Sequence, residues 1–396
     1  MALQKAHTDW LTGNPTKVQQ WAALWIGSAG MQIFGLQPIL LGALYAEKRV
    51  NFDELALIAT AELIMVALGS VIAGFLFPTT HLRARSALLL VLLGALNYAV
   101  ILAAAPGELL LVRSLAGLVE GAMVAISVEL IARSCRPERL GGMFIGLQTF
   151  AQCILAALIA VFVVPEFGSN GGFLVLAAVC VLSLAIAPLV PAEYGKLIRP
   201  VAGKEGIYTL KSALALLAIF TFFLFIGAIW AFLEPLGVGS GIDVQTIGLL
   251  VSASLAVQVS GAICATWLER SIDYRISIVA CTLLAIAACL ALATDPGLTT
   301  FSAAALSIAF IWMFITPYQI GLTIAADPSR STALLLPAAQ LLGAALGPIA
   351  ASLLIVGDDA SLVPWFAVGA LLSSLTLLML LIVYSRGSAI TEGKLS

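Results

Sequence analysis

The sequence predicts an all-α integral membrane protein: twelve transmembrane helices arranged as two pseudo-symmetric six-helix bundles. Three observations carry this. The chain is 61% apolar and only 10% charged, with a mean hydropathy of +1.09, whereas a soluble domain is nearer a quarter charged. Its apolar runs recur at lengths near the ~20 residues that cross a hydrocarbon core of about 30 Å. Lys and Arg gather on alternate sides of those runs. The runs are rich in Leu, Ala and Ile without dyad alternation, so helices are expected rather than a β-barrel.

The polar opening stretch MALQKAHTDWLTGNPTKVQQ (1–20) reads as a cytoplasmic segment and not as a cleaved signal peptide. The apolar runs follow near 21–45, 54–77, 86–105, 108–132, 140–163 and 171–191, then 212–235, 245–268, 275–294, 299–325, 331–355 and 362–384. With both termini in the cytoplasm, the inner segments hold sixteen Lys or Arg residues, the outer loops hold only Lys48 and Arg49, and Arg113 is left in the membrane. That asymmetry sets the orientation. The longest polar interruption, PAEYGKLIRPVAGKEGIYTLK (191–211), reads as a cytoplasmic linker between bundles at 21–190 and 212–384, with a cytoplasmic tail at 385–396. A shift of about 192 residues carries Gly69 onto Gly261, Arg83 onto Arg275 and Gln148 onto Gln340. Repeated halves with a solute site between them are a common plan of secondary transporters. Six cysteines, at 135, 153, 180, 264, 281 and 289, fall inside apolar runs or beside a basic loop, so free thiols are expected.

The fourth run, LVRSLAGLVEGAMVAISVELIARSC (111–135), carries Arg113, Glu120 and Glu129. A charge at the centre of a membrane helix costs about 2.5–3.5 kcal/mol on insertion scales, so three on one helix face protein or water. Glu129 and Arg133 are four apart and expected to pair. Arg113 and Glu120 are two turns apart, and because helical side chains lean toward the N-terminus, Arg113 is expected to point away from Glu120. Glu62, in the second run, lies at a depth between them. The expectation is a Glu62–Arg113 interaction with Glu120 facing a central cavity. Two readings fit: a static network pinning the bundle, or a protonation site at Glu120 that couples transport to protons. Neither histidine, His7 or His81, lies in a span.

The layout resembles the major facilitator superfamily: twelve spans, a six-plus-six division, a central cytoplasmic linker and a basic loop after each second span. ATWLERSIDYR (265–275) is similar to that family's acidic-Arg loop, with Glu269 and Arg270 at its acidic and basic positions. In GFLFPTTHLRAR (74–85), Pro78 stands where the family usually has Asp. Arg113, Gly117 and Gly121 match its span-4 pattern. The antiporter signature of span 5 is absent from residues 146–162, and a Gly-Pro stretch, GAALGPIAA (343–351), stands in span 11 instead. The resemblance implies a cavity lined by spans 1, 4, 7 and 10. Those spans offer Gln32, Phe34 and Gln37, then Phe222, Phe225 and Trp230, and finally Trp312, Tyr318 and Gln319. Amides need partners in hydrocarbon, and aromatic faces clasp rings or cations. Gln148 and Gln340 are expected to hydrogen-bond between helices, and Gly142–Gly146 and Gly343–Gly347 to mark close helix packing.

The function expected is a secondary active transporter, no enzyme, moving a small organic solute across the inner membrane by alternating access. Protons are the coupling ion, the substrate an organic anion beside Arg113, and the alternative proton-driven efflux of amphipathic compounds. An intramembrane enzyme lacks its inventory, with no histidine in a span and no HExxH, and no Walker loop marks a primary pump. No cofactor, metal or nucleic acid is expected, and the chain is expected to work as a monomer in lipid.

Overall fold

The computed structural model describes residues 10–196, 209–269, 271–294, 296–354 and 360–392 of the chain. His7, Arg270 and most of the expected linker lie outside them. The described residues form thirteen α-helices. These are α1 (Lys17–Gly30), α2 (Gln32–Ala46), α3 (Phe52–Leu76), α4 (Leu82–Leu102), α5 (Pro106–Ala132), α6 (Pro137–Leu158) and α7 (Val164–Ser183). The rest are α8 (Leu210–Gly239), α9 (Val244–Leu268), α10 (Tyr274–Leu292), α11 (Leu298–Ala326), α12 (Leu336–Ser352) and α13 (Val363–Glu392).

Local chemistry starts these helices where the polar breaks fall. Thr16 with Gln19 and Asn51 with Glu54 form capping boxes at α1 and α3, each satisfying two otherwise orphaned N–H groups. Thr209, Asp243 and Asp273 cap α8, α9 and α10. Pro106 opens α5, where Glu108 accepts from the N–H groups of Ala104 and Ala105 at 2.7 and 3.2 Å. At the end of α2, Arg49 donates to the carbonyls of Val100 and Ala103 and to Ser169 and Asn170. This loop cation therefore ties α2, α4 and α7 together.

Among the described residues, ten helical runs are long and apolar enough to cross a membrane, and Lys17–Gln37 with Ile39–Ala46 forms an eleventh candidate bent by 47° between the two. Two of the expected spans, 140–163 and 171–191, appear as one run, Pro137–Ser183. That run contains a π-helical stretch at Ile159–Val163 and a non-helical residue, Gly168, at φ 61° and ψ −158°. A glycine tolerates that positive φ at little steric cost. The first expected span, 21–45, is broken at Met31 (φ −98°, ψ 8°), and the Gln152 amide on α6 donates to the Met31 carbonyl at 2.6 Å.

Helix α3 packs on α5, and α9 packs on α11. The two seams repeat the same contact. A Cβ built on Gly69 falls 2.8 Å from the Leu118 carbonyl carbon, and one on Gly261 falls 2.5 Å from the Phe310 oxygen. The shift of 192 residues that maps Gly69 onto Gly261 also maps Leu118 onto Phe310. Helices α3, α5 and α6 meet α9, α11 and α12 through small residues and apolar clusters, among them Gly142 against Thr266 and Ala338 and Leu341 beside Val66 and Val124.

At the end of α5 rich in basic residues, the chain closes over itself. The Leu11 N–H donates to the Arg133 carbonyl, and Arg133 donates to Gly195 at 2.8 Å while lying over the Tyr194 ring. The Tyr194 hydroxyl donates to the Ile126 carbonyl at 2.9 Å, and its burial pushes its pKa above the ordinary phenol value. Glu129 pairs with Arg133 at 3.6 Å, one turn apart as the spacing predicts. Between α11 and α12, buried Asp327 accepts from the backbone N–H groups of Ser329 and Thr332, both at 2.9 Å. The turn it holds presents Arg330, whose guanidinium donates to the carbonyls of Ala132, at 2.9 Å, and Ser134. One arginine thus bonds the α11–α12 turn to the end of α5.

Candidate functional site

Five helices converge on Arg113. It is 0% exposed, as is Glu62, and Glu120 is 2% exposed. From α5 the guanidinium pairs with Glu62 of α3 and, at 3.2 Å, with Glu120 of its own helix. It also donates to Asn97 of α4 at 2.9 Å and lies over the Phe173 ring of α7, 5.4 Å from its centroid. Gln37 of α2 donates to the other Glu62 oxygen at 3.2 Å. Charge-assisted hydrogen bonds of this kind are the strong ones in a low-dielectric interior.

Glu62 and Arg113 meet across α3 and α5, but two expectations about their neighbours need correction. Arg113 does contact Glu120. The lean of helical side chains turns the Glu120 carboxyl back toward Arg113, and the long Arg side chain spans the remaining distance. Glu120 also does not face the central cavity. It sits behind the break between α1 and α2, where Gly30 lies against its backbone. The triad has two carboxyl groups for one guanidinium, and Glu120 Oε2 has no hydrogen-bond partner among the described residues.

A separate cavity opens between α1–α2, α5, α6, α8, α11 and α12, with about 820 Å³ of empty space, its mouth included. Phe34 and Trp312 are in its wall, meeting edge to face at 5.7 Å, and Trp230 packs on Trp312 at the same separation. The other expected contacts lie elsewhere. Phe222 and Phe225 are buried against each other at 5.1 Å, and Phe223, one position round the helix, reaches the cavity instead. Tyr318 is buried against Phe314. Gln32 donates to the Ser28 carbonyl of its own chain segment at 2.7 Å, and Gln37 belongs to the charge network.

The amide and hydroxyl groups that do line the cavity are those of Gln148, Thr316 and Gln340. Gln340 donates to Gln319 at 2.8 Å, a bond from α12 to α11. Besides the four helices the resemblance implies, α6 and α12 therefore supply wall. The signal was present in the sequence: Gln148 and Gln340 are equivalent under the internal shift, and a cavity on the repeat interface is where two such positions converge.

Comparison with known proteins agrees with this architecture. The Major Facilitator Superfamily profile matches residues 22–333. A solved major facilitator transporter, FucP, in its outward conformation superposes with a TM-score of 0.72 over 90% of this chain and 98% of its own, at 14% identity. A point variant of the E. coli fucose:proton symporter superposes with a TM-score of 0.71 over 92% of this chain and 97% of its own, again at 14% identity. Curated protein sequences return no match. With the matched region covering well over half of the sequence and the fold shared, the chain is a multi-pass membrane transporter of the Major Facilitator Superfamily.

Proposed function

We propose that the chain is a proton-coupled secondary transporter that carries a small organic solute across the cytoplasmic membrane by alternating access, working as a monomer without cofactors. In this reading the Glu62–Arg113–Glu120 network holds the coupling proton. The observation that carries it is the charge count at a fully buried site. Two carboxyl groups face one guanidinium, and one Glu120 oxygen lacks a donor among the described residues. A single proton balances the set, and an unpaired charge in a dry interior is otherwise costly. Arg113 is engaged by three side chains and a ring, which supports a part in coupling over one in holding a substrate anion. The likeness to a fucose:proton symporter supports proton symport as the mode.

Twelve spans in two six-helix bundles fit the ten long runs if the bent pair Lys17–Gln37 and Ile39–Ala46 counts as one further crossing and the 47-residue run Pro137–Ser183 as two. At 1.5 Å per residue that run is about 70 Å long, more than twice a bilayer core. The repeated Gly69–Leu118 and Gly261–Phe310 contacts support paired halves. The positive-inside rule supports a cytoplasmic position for the basic ends of the helices.

Reconstituted vesicles test the coupling. With an imposed proton gradient, the wild type is expected to accumulate a carried solute. Glu120→Gln is expected to lose gradient-driven accumulation while keeping solute exchange at equal pH. Unchanged accumulation in that variant would remove Glu120 from the proton path.

The turn at Arg330 gives a second expectation. Alternating access requires the basic ends to part, and Arg330 bonds α5 to the α11–α12 turn. Hydrogen bonds to a charged group contribute about 1.5–3 kcal/mol each, so Arg330→Ala is expected to shift the conformer ratio toward a parted basic end by roughly tenfold or more. The measurement is a distance distribution between spin labels at exposed Cys135 and at Pro328→Cys, with the other cysteines replaced. A distribution identical to that of the parent would show that this contact does not hold the end closed.

A further inference from the structure

The cavity is apolar except at Gln148, Thr316, Gln340 and the indole N–H of Trp312, and none of its wall residues carries a charge. Two of those polar groups are already engaged: the Thr316 hydroxyl donates to the Trp312 carbonyl at 2.8 Å, and the Gln340 amide donates to Gln319 at 2.8 Å. What is left for a ligand is the Gln148 amide, the carbonyl oxygen and second N–H of Gln340, the Thr316 oxygen as an acceptor, and the flat surface of Trp312 and Phe34. An ionic solute entering here would leave its hydration shell for a wall with no counter-charge, which is strongly unfavourable. Arg113, the cation expected to meet an anion, is 0% exposed and forms no part of the wall. A polyol would leave several hydroxyls unpaired, each at a cost of desolvation.

We propose that this cavity selects an uncharged, mainly apolar solute, flat enough to lie along Trp312 and Phe34, with one amide- or hydroxyl-type group met by Gln148 and Gln340. The inference rests on the transporter reading and gives that reading its substrate class. It replaces the anion expected from the sequence and narrows the amphipathic alternative to neutral compounds. Apolar pockets with a few placed polar groups orient their ligands in this way, and the site separates two tasks. The charged network behind the α1–α2 break handles the proton, while the cavity handles a solute that never meets those charges.

The test uses four ligands of one shape, a neutral amide, an anion, a cation and a hydrocarbon: para-toluamide, para-toluate, para-methylbenzylammonium and para-xylene, with glucose as a polyol, as radiolabelled ligands in equilibrium dialysis against the full-length protein. The expected result is saturable binding of para-toluamide at least roughly tenfold tighter than either ion, with no saturable binding of glucose. Gln148→Leu and Gln340→Leu are each expected to weaken para-toluamide by roughly three- to tenfold while leaving para-xylene unchanged, and the xylene measurement shows that the cavity of each variant is intact. Para-toluate or the ammonium binding as tightly as the amide would overturn the proposal, and so would glutamine variants that bind para-toluamide like the wild type. Solute counterflow in vesicles separates this failure from that of the transporter reading. An amide that binds but is never carried would sink the transporter reading alone, whereas toluate carried under a proton gradient would sink the solute class alone.

Discussion

Arg113→Met is expected to be the most damaging side-chain truncation in the protein, lowering stability by about 3–5 kcal/mol, because removing one partner of a buried ion pair leaves the others uncompensated. Here it leaves two carboxyl groups, Glu62 and Glu120, at 0% and 2% exposure and without their cation. Thermal unfolding in detergent reads the loss directly. Adding Glu62→Gln to Arg113→Met should return part of the stability, and adding Glu120→Gln as well should return more, since the excess negative charge is then gone. Arg113→Lys should not substitute. One ammonium cannot serve Glu62, Glu120 and Asn97 together from the positions the guanidinium occupies, nor lie flat over Phe173. A single Arg113→Met variant as stable as the wild type would mean that the network is not a charged pair of this kind.

How much of this was legible in the sequence depended on the kind of interaction. Hydropathy marked the spans because lipid imposes one length and one composition on every crossing. Relative depth marked Glu62 with Arg113, since two charges at one level on neighbouring helices have few other places to go. The Arg113–Glu120 contact was hidden because spacing along an axis says nothing of how far a flexible side chain folds back. The cavity wall was harder still. Helix α8 is apolar on every side, so no amphipathic stripe distinguishes Phe223, which faces the cavity, from Phe222 and Phe225, which do not. For Gln148 and Gln340 the internal shift pointed to a shared role, but residue type alone could not choose between helix packing and cavity wall. Arg330 gave least warning. Its partners are backbone carbonyls almost 200 positions away, and carbonyls leave no trace in a sequence.

The seam that positions the charge network also makes it vulnerable, and Gly117→Ala shows why. A Cβ at Gly117 would lie 2.5 Å from the backbone oxygen of Glu62 itself and 3.2 Å from the Val66 nitrogen. Gly121 is as tightly placed, its Cβ position falling 2.6 Å from the Ser70 nitrogen. These neighbours are helix backbone, so neither a rotamer change nor a side-chain shift relieves the clash. Helices α3 and α5 must move apart, and overpacking of this kind costs about 1–3 kcal/mol or more. The same displacement draws Glu62 away from Arg113, so small residues here hold the two charged helices at pairing distance as well as packing them. Gly107→Ala is the control, since it lies on the same α5 with nothing within 4 Å of its Cβ position. Gly107→Ala is expected to melt like the wild type. Gly117→Ala is expected to melt lower and, where it remains folded, to lose proton-driven accumulation in vesicles while retaining solute exchange. Equal melting of the two variants would show that the seam has room to spare, and a destabilised Gly117→Ala with intact accumulation would show that the Glu62–Arg113 distance does not govern coupling.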